Sequence, residues 1–333
     1  MLRLVNLSGT LVGFGVLQTV IYLLFIRAID LYEREPLRYV LPVFVWGFAV
    51  ATTVSLVFNT LFQLTLSSVT SVQTARFFTA VLVAPVVEES SKGLALLIIF
   101  FIAYLVRRRS GLIEFAGVMD GIVYGSAVGF GFAIAEDILY GLQYGPETFI
   151  VRRIFGGFAH AAFTSVTGVG IGLIPWVHNR MMKVILPLLG LSGAILLHAT
   201  FNFTATVFGP VGYLVLFLVV MAYIVVIMVW LAIERRIIRE ELREEVDAGT
   251  ITPQEYAILP SYFRRTTYYL GLFFGGKLGT WTRARKLHSS AVDLALAKRL
   301  ARRSGSQGSV ERVRMLRQKI RNIREGATAR AAS

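Results

Sequence analysis

The run Glu88-Glu89-Ser90-Ser91-Lys92 puts two carboxylates and an ammonium within five residues. Glu88 and Lys92 are four apart, so on a helix they share a face and can pair. Three further sites follow along the chain: Glu136 in Phe132-Ala133-Ile134-Ala135-Glu136-Asp137, His160 with Thr164, and His198 with Asn202. Each His again has its polar partner four residues on, on the same helical face. Glu, His and Lys are the side chains that move protons in general acid–base chemistry. There is no cysteine. Thiolate nucleophiles, disulfides, iron–sulfur clusters and cysteine–zinc sites are therefore excluded.

The elements that must carry these residues are apolar. The 333-residue chain is 55% hydrophobic and only 16% charged, with mean hydropathy +0.65. A soluble domain has about 25% charged residues. Seven segments reach the roughly 20 apolar residues that a membrane-crossing helix needs. They run near 8–26, 39–64, 77–105, 116–141, 153–175, 184–206 and 211–233. The first lacks a small-residue cleavage site and reads as a retained span rather than a signal peptide. The fold expected is an all-α polytopic membrane protein of about seven helices with a helical, basic cytoplasmic tail. Residues 1–233 carry 13 Lys/Arg and 10 Asp/Glu, whereas residues 234–333 carry 21 and 10. The split suggests a transmembrane domain over 1–233 and a tail over 234–333.

Short-loop cations set orientation. Arg27, Arg34, Arg38, Arg107, Arg108, Arg109, Arg180 and Lys183 fall on one side, and Arg3, Arg76, Arg152 and Arg153 on the other. The richer side also holds the tail, so the N-terminus is expected outside and the C-terminus in the cytoplasm. In that frame the polar residues come to similar depth. Glu88, His160, His198 and Glu136 lie about 16, 10, 12 and 8 Å from the outer ends, at 1.5 Å per residue. All fall in the outer half of the bilayer.

Charged groups in hydrocarbon cost about 2.5–3.5 kcal/mol each on insertion scales. A lone intramembrane His often only bonds a neighbouring helix. A Glu-Glu-Lys cluster with two such His on separate spans points instead to one shared site. Pro85 frees backbone groups just before the acidic pair. Asp120 and Asp137 lie near span ends, where solvation is the simpler reading. Gly117, Gly121, Gly125 and Gly129 repeat every four residues. They read as a packing face that brings this span close to the His-bearing helices.

Together these motifs resemble the PrsW family of intramembrane metalloproteases, whose motifs are related to those of the prenyl-protein (CAAX) endopeptidases. The carriers are Glu88-Glu89-Ser90-Ser91-Lys92, Phe132 to Glu136, His160 with Thr164, and His198 with Asn202. Asp30-Leu31-Tyr32-Glu33-Arg34-Glu35-Pro36 is similar to the family's first cytoplasmic loop, and Asp120-Gly121-Ile122-Val123-Tyr124-Gly125 also fits. The resemblance covers roughly residues 27–205 and not the tail. It implies hydrolysis of peptide bonds in membrane-anchored substrates. Some members act on single-span anti-sigma factors, which makes such a regulator the expected substrate class. It also implies that Glu88 or Glu89 deprotonates water and that Lys92 holds the pair ionised. Asn202 would donate to the oxyanion, His160 and His198 would hold a divalent metal or the attacking water, and Glu136 would be a third metal ligand or the support of an imidazole. Two His and one carboxylate suit zinc. A metal-free glutamate mechanism uses the same residues. A bacterial cell membrane is the implied location.

Other classes compete for the same residues. The HExxH and GxGD motifs are absent. A GxSG stands at Gly190-Leu191-Ser192-Gly193, but His198 is turned about 240° from Ser192 on a helix. Helix packing through small residues is the simpler reading there, with His160 the remaining candidate base. A proton-coupled transporter or channel would also use buried carboxylates, His and Lys, though no internal repeat is evident.

In the tail, Glu234 to Asp247 reads as a charged continuation of the last span. Thr252-Pro253-Gln254-Glu255 has capping-box form, so a short helix is expected over 254–259. Arg264, Arg265, Tyr268, Tyr269, Phe273 and Phe274 form a basic, aromatic stretch. Its glycines argue against a long helix and for a segment at the inner leaflet. Helices are expected near 289–303 and 309–325, the second with a seam of Val313, Leu316, Ile320 and Ile323. His288 reads as a surface residue. The cations suit anionic lipid, and no specific nucleic acid is expected. The sequence does not define an oligomeric state.

Overall fold

A computed structural model describes residues 2–32, 35–110, 115, 117–305 and 307–331. Glu33 and Arg34 lie outside the described residues, as do the side chains of Arg3 and of Arg107 to Arg109. All regular structure among the described residues is helical. The membrane part comprises α1 (Leu2–Ile29), α2 (Leu37–Val45), α3 (Thr52–Ser67), α4 (Val72–Phe78), α5 (Ala84–Ser110), α6 (Val118–Tyr144), α7 (Pro146–Gly156), α8 (Ala159–Gly172), α9 (Met182–Phe208) and α10 (Val211–Asp247). The all-α polytopic membrane fold expected from the sequence is what forms.

Four described helical stretches are long and apolar enough to cross a bilayer: Leu37–Ser67, Val118–Tyr144, Met182–Phe208 and Val211–Asp247. The bent pair Pro146–Ile154 and Ala159–Trp176 makes a fifth if it acts as one span. Among the described residues these stretches account for four or five of the seven expected spans.

Helix α6 is the axis of the bundle, and its whole apolar window is buried. Its glycines explain how. A Cβ on Gly121 would lie 2.0 Å from the Gly168 carbonyl oxygen of α8, and one on Gly129 would lie 2.4 Å from that of His160. The other side of α6 docks equally closely. A Cβ on Gly131 would lie 2.0 Å from the Phe44 carbonyl oxygen of α2. Lipid tails are as apolar as the helices, so close van der Waals approach through small residues drives this packing.

Two π-helical segments interrupt the spans. Trp46–Ala51 joins α2 to α3, and Thr79–Val83 joins α4 to α5. The second ends directly before Ala84-Pro85. Proline has no N–H to give the preceding turn, so the regular ladder breaks there. The expected straight span 153–175 is instead broken at Gly157 and Phe158, with α7 and α8 inclined at 48°.

Helix α10 runs unbroken across the expected boundary at residue 233. Its far end packs in a second core with α11 (Pro253–Ile258), α13 (Leu278–Ser304) and α14 (Gln307–Ala331), and α12 (Tyr262–Phe274) lies against α13. Thr252 and Glu255 form the expected capping box on α11. Two boundaries differ from expectation. The aromatic stretch is a 13-residue helix, and α13 starts well before residue 289. The glycines Gly275 and Gly276 sit between these helices rather than breaking one, with Gly276 at φ 69°. Val313, Leu316 and Ile320 of the expected seam are buried. His288 is buried too, contrary to its surface reading, and bonds the Tyr269 hydroxyl at 3.0 Å.

Candidate active site

Three helices bring the polar clusters together. Helix α5 supplies Glu88, Glu89 and Lys92, α8 supplies His160 and Thr164, and α9 supplies His198. All six are buried. Glu89 is fully partnered. Its Oε1 accepts from Lys92 Nζ at 2.5 Å and faces His198 Nδ1 at 3.0 Å, and its Oε2 accepts from Thr164 at 3.0 Å. Lys92 Nζ also lies 3.2 Å from His160 Nδ1 and 4.2 Å over the Phe132 ring. The Lys is therefore the internal counter-ion of the site, which offsets the cost of burying a carboxylate.

Glu88 differs from its neighbour. Oε1 accepts a long 3.4 Å bond from Asn59, whereas the buried Oε2 has no hydrogen-bond partner. Oε2 lies 3.8 Å from His198 Nε2 and 3.9 Å from Lys92 Nζ. Phe163 stacks on the His198 ring at 4.9 Å and sets its plane. The site thus pairs one saturated carboxylate with one that has a free oxygen.

Ligand-type atoms of Glu88, His160 and His198 lie within 4.8 Å of one another. Glu136, expected either in such a group or in support of an imidazole, stands against His160. Its Oε2 is 2.8 Å from His160 Nε2 and 2.5 Å from the Arg152 guanidinium. Asn202 donates to the Ala80 carbonyl at 2.8 Å. That carbonyl belongs to the π segment ahead of α5, where regular helix bonding is broken. Ser192 is exposed while His198 is buried, so the GxSG serine does not face this site.

Several partners were not evident beforehand. Asp137 is fully buried rather than solvated, paired with Arg152 at 2.6 Å and with Arg153. Asp120 is buried as well and accepts from the Gly117 N–H at 3.0 Å. Arg152 looked like a loop cation, yet it bridges Glu136 and Asp137. Asn59 had one legible signal, an amide inside a largely apolar span that holds one other amide, Gln63.

Comparison with known proteins gives the family. Residues 35–231 match the family model described as PrsW family intramembrane metalloprotease. Protease PrsW of Geobacillus kaustophilus (strain HTA426) is 33% identical over 163 residues, covering 49% of this chain and 66% of the relative. Protease PrsW of Shouchella clausii (strain KSM-K16) is 36% identical over 118 residues, covering 35% and 51%. Protease PrsW of Bacillus subtilis (strain 168) is 30% identical over 177 residues, covering 53% and 74%. No solved structure matches the chain. With its Glu-Glu-Lys cluster and two imidazoles gathered inside a helical membrane bundle, the chain belongs to the PrsW family of intramembrane metalloproteases.

Proposed function

We propose that this chain is an intramembrane endopeptidase that hydrolyses peptide bonds of membrane-anchored proteins. The observation that carries the reading is the unpartnered Oε2 of Glu88, buried beside His198 and backed by the saturated Glu89–Lys92 pair. A water placed between Glu88 Oε2 and His198 Nε2 would reach both. Glu88 takes its proton, and the oxygen adds to the peptide carbonyl. Breakage of the C–N bond then returns that proton to the leaving amine. Glu89 and Lys92 keep the neighbouring charges in place.

The donor set fits a divalent metal. Two imidazoles and a carboxylate with a free oxygen form a zinc-type set, and Glu88, His160 and His198 are the residues that would hold the ion. Bound there, with Glu88 as one of its holders and no longer the base, it would activate the water and polarise the scissile carbonyl. Holding it means that His160 gives up its contact with Lys92 at Nδ1 and keeps Glu136 at Nε2. Glu136 then supports His160 from behind.

The family resemblance supports the substrate class: a single-span membrane protein such as an anti-sigma-type regulator, in a bacterial cell membrane. An N-terminus outside and C-terminus in the cytoplasm is the orientation that the loop cations favour. Arg152 and Arg153, which weighed against it, are neutralised by Glu136 and Asp137. Residues 1–233 form the protease part, and the tail meets anionic lipid at the cytoplasmic leaflet. A proton-coupled transporter is not favoured by the family match.

The test is quantified cleavage of membrane-anchored substrates by wild type and by Glu88→Gln, Glu89→Gln, His160→Ala and His198→Ala, with metal measured on each. Unchanged cleavage in all four would sink the site. Full activity at metal content near zero would leave the carboxylate mechanism without the ion.

A further inference from the structure

Between Glu255 and Asp293 the chain has no acidic residue but carries Arg264, Arg265, Lys277, Arg283, Arg285 and Lys286. The structure folds this stretch into α12 and the first half of α13. Phe263, Leu270 and Phe274 lie within about 40° on one face of α12, by 100° per residue. They are 80%, 49% and 81% exposed. The opposite face holds α12 to the protein. Arg265 is buried, bonds the Leu31 carbonyl and stacks over Tyr32, while Tyr269 bonds His288 of α13. Helix α12 is thus anchored on one side and apolar on the free side.

The apolar ridge continues into a cleft. Phe273 meets Trp281 at 6.0 Å between ring centres. Trp281 stands at the mouth of an open cleft of about 1000 Å³ between α13 and α14. Arg285, Lys286 and Lys319 line it, no carboxylate does, and Gln318 and Asn322 add amides. Arg285 is held over the Trp281 ring at 4.7 Å. An exposed aromatic ridge beside a basic cleft suits an amphipathic ligand with an apolar body and an anionic head.

We propose that this cleft binds the phosphate headgroup of an anionic phospholipid while Phe263, Leu270 and Phe274 of α12 enter the acyl boundary of the same leaflet. The proposal rests on the reading of the tail as a lipid-facing cytoplasmic surface and assigns its binding site. Charge complementarity selects the occupant: three cations converge where the apolar ridge ends. A second copy of the chain would bring the same cations and repel.

The absence of cysteine makes the test clean. Phe274→Cys carries a single polarity-sensitive fluorophore, and the full chain is reconstituted in phosphatidylcholine vesicles with or without phosphatidylglycerol. Quenching by brominated lipid reports insertion. The label is expected in lipid with phosphatidylglycerol and largely in water without it. Arg285→Gln/Lys286→Gln/Lys319→Gln should lower the inserted fraction by about fivefold per cation removed, as each is worth about 1 kcal/mol at an anionic surface. Arg236→Gln/Arg243→Gln/Arg314→Gln removes the same charge elsewhere and should leave insertion intact. Limited proteolysis of both triples checks that the tail stays folded. Equal loss in both triples overturns the cleft while leaving a diffuse basic surface. A label in water in both lipid mixtures overturns the cleft and the lipid-facing tail together. Protection that tracks protein density rather than lipid charge identifies a second copy and overturns the proposal.

Discussion

Gly129 of α6 packs directly on the backbone of His160, where an added Cβ would come within 2.4 Å of the His160 carbonyl oxygen. The contact is backbone to backbone, so no side chain can move aside. Gly129→Ala should push α8 away from α6 and draw His160 from Glu136 and Lys92. Overpacking of this kind costs about 1–3 kcal/mol. Thermal unfolding in detergent and cleavage rate should both fall, and Gly129→Val should be worse than Gly129→Ala. An unchanged rate in Gly129→Val would show that His160 does not depend on this contact.

Glu88 and Glu89 should separate in kinetics. Glu88 has the free oxygen and Glu89 the saturated one. Glu88→Gln should lower kcat by about 10²–10⁴, the usual worth of a positioned base, with little effect on stability. Glu89→Gln should lower both, because Lys92 loses its shortest carboxylate contact. Rates and melting temperatures measured on the same preparations check this.

Lys92 is fully buried against Glu89. Lys92→Met leaves that carboxylate without its cation, a loss of about 3–5 kcal/mol for a broken buried pair. The double variant Glu89→Gln/Lys92→Met removes both charges and should recover much of that stability while remaining inactive. Denaturant titration of the two variants decides, and equal stability of single and double would refute the pairing.

Arg152 acts through Glu136. Its guanidinium bonds Glu136 and Asp137 at once, a fork that an ammonium cannot reproduce. Arg152→Gln should weaken metal binding about 10–100-fold, the usual effect of losing an outer support of a ligand. Arg152→Lys should recover only part. Titration of the metal by calorimetry gives the readout, and wild-type affinity in Arg152→Gln would remove Arg152 from the site's support.

The tail should respond to acid. Burial pushes the His288 imidazole down to about 4, with Arg265 and Arg324 adding repulsion and Glu255 opposing it. The unfolded imidazole titrates at about 6.5, so below that pH the unfolded state binds more protons than the fold. Stability of the α12–α13 packing is therefore full above about pH 6.5 and falls as pH drops towards 4. Hydrogen exchange of α12 and α13 amides should quicken over that window in wild type and much less in His288→Phe.

Some of this was legible in the residues alone. The i,i+4 spacing of Glu88 and Lys92 shows their shared face, because a helix repeats every 3.6 residues. The every-fourth-residue glycines of α6 mark a close helix contact for the same reason. Local patterns of this kind need no partner to be read. The bend between α7 and α8 was less legible, because the apolar run continues across Gly156 and Gly157.

Sequence by itself determined the helical membrane fold, the capping box at Thr252 and the residue types of the site. Tertiary structure alone decided which carboxylate is free. Glu88 and Glu89 are adjacent and chemically identical, and only the arrival of Lys92, Thr164 and His198 saturates one of them. It likewise decided that Glu136 backs His160 while Arg152 and Asp137 are buried partners rather than loop charges. Hydrogen bonds across 15 to 109 residues depend on how helices cross. That crossing is set by close packing in three dimensions, which no local spacing encodes.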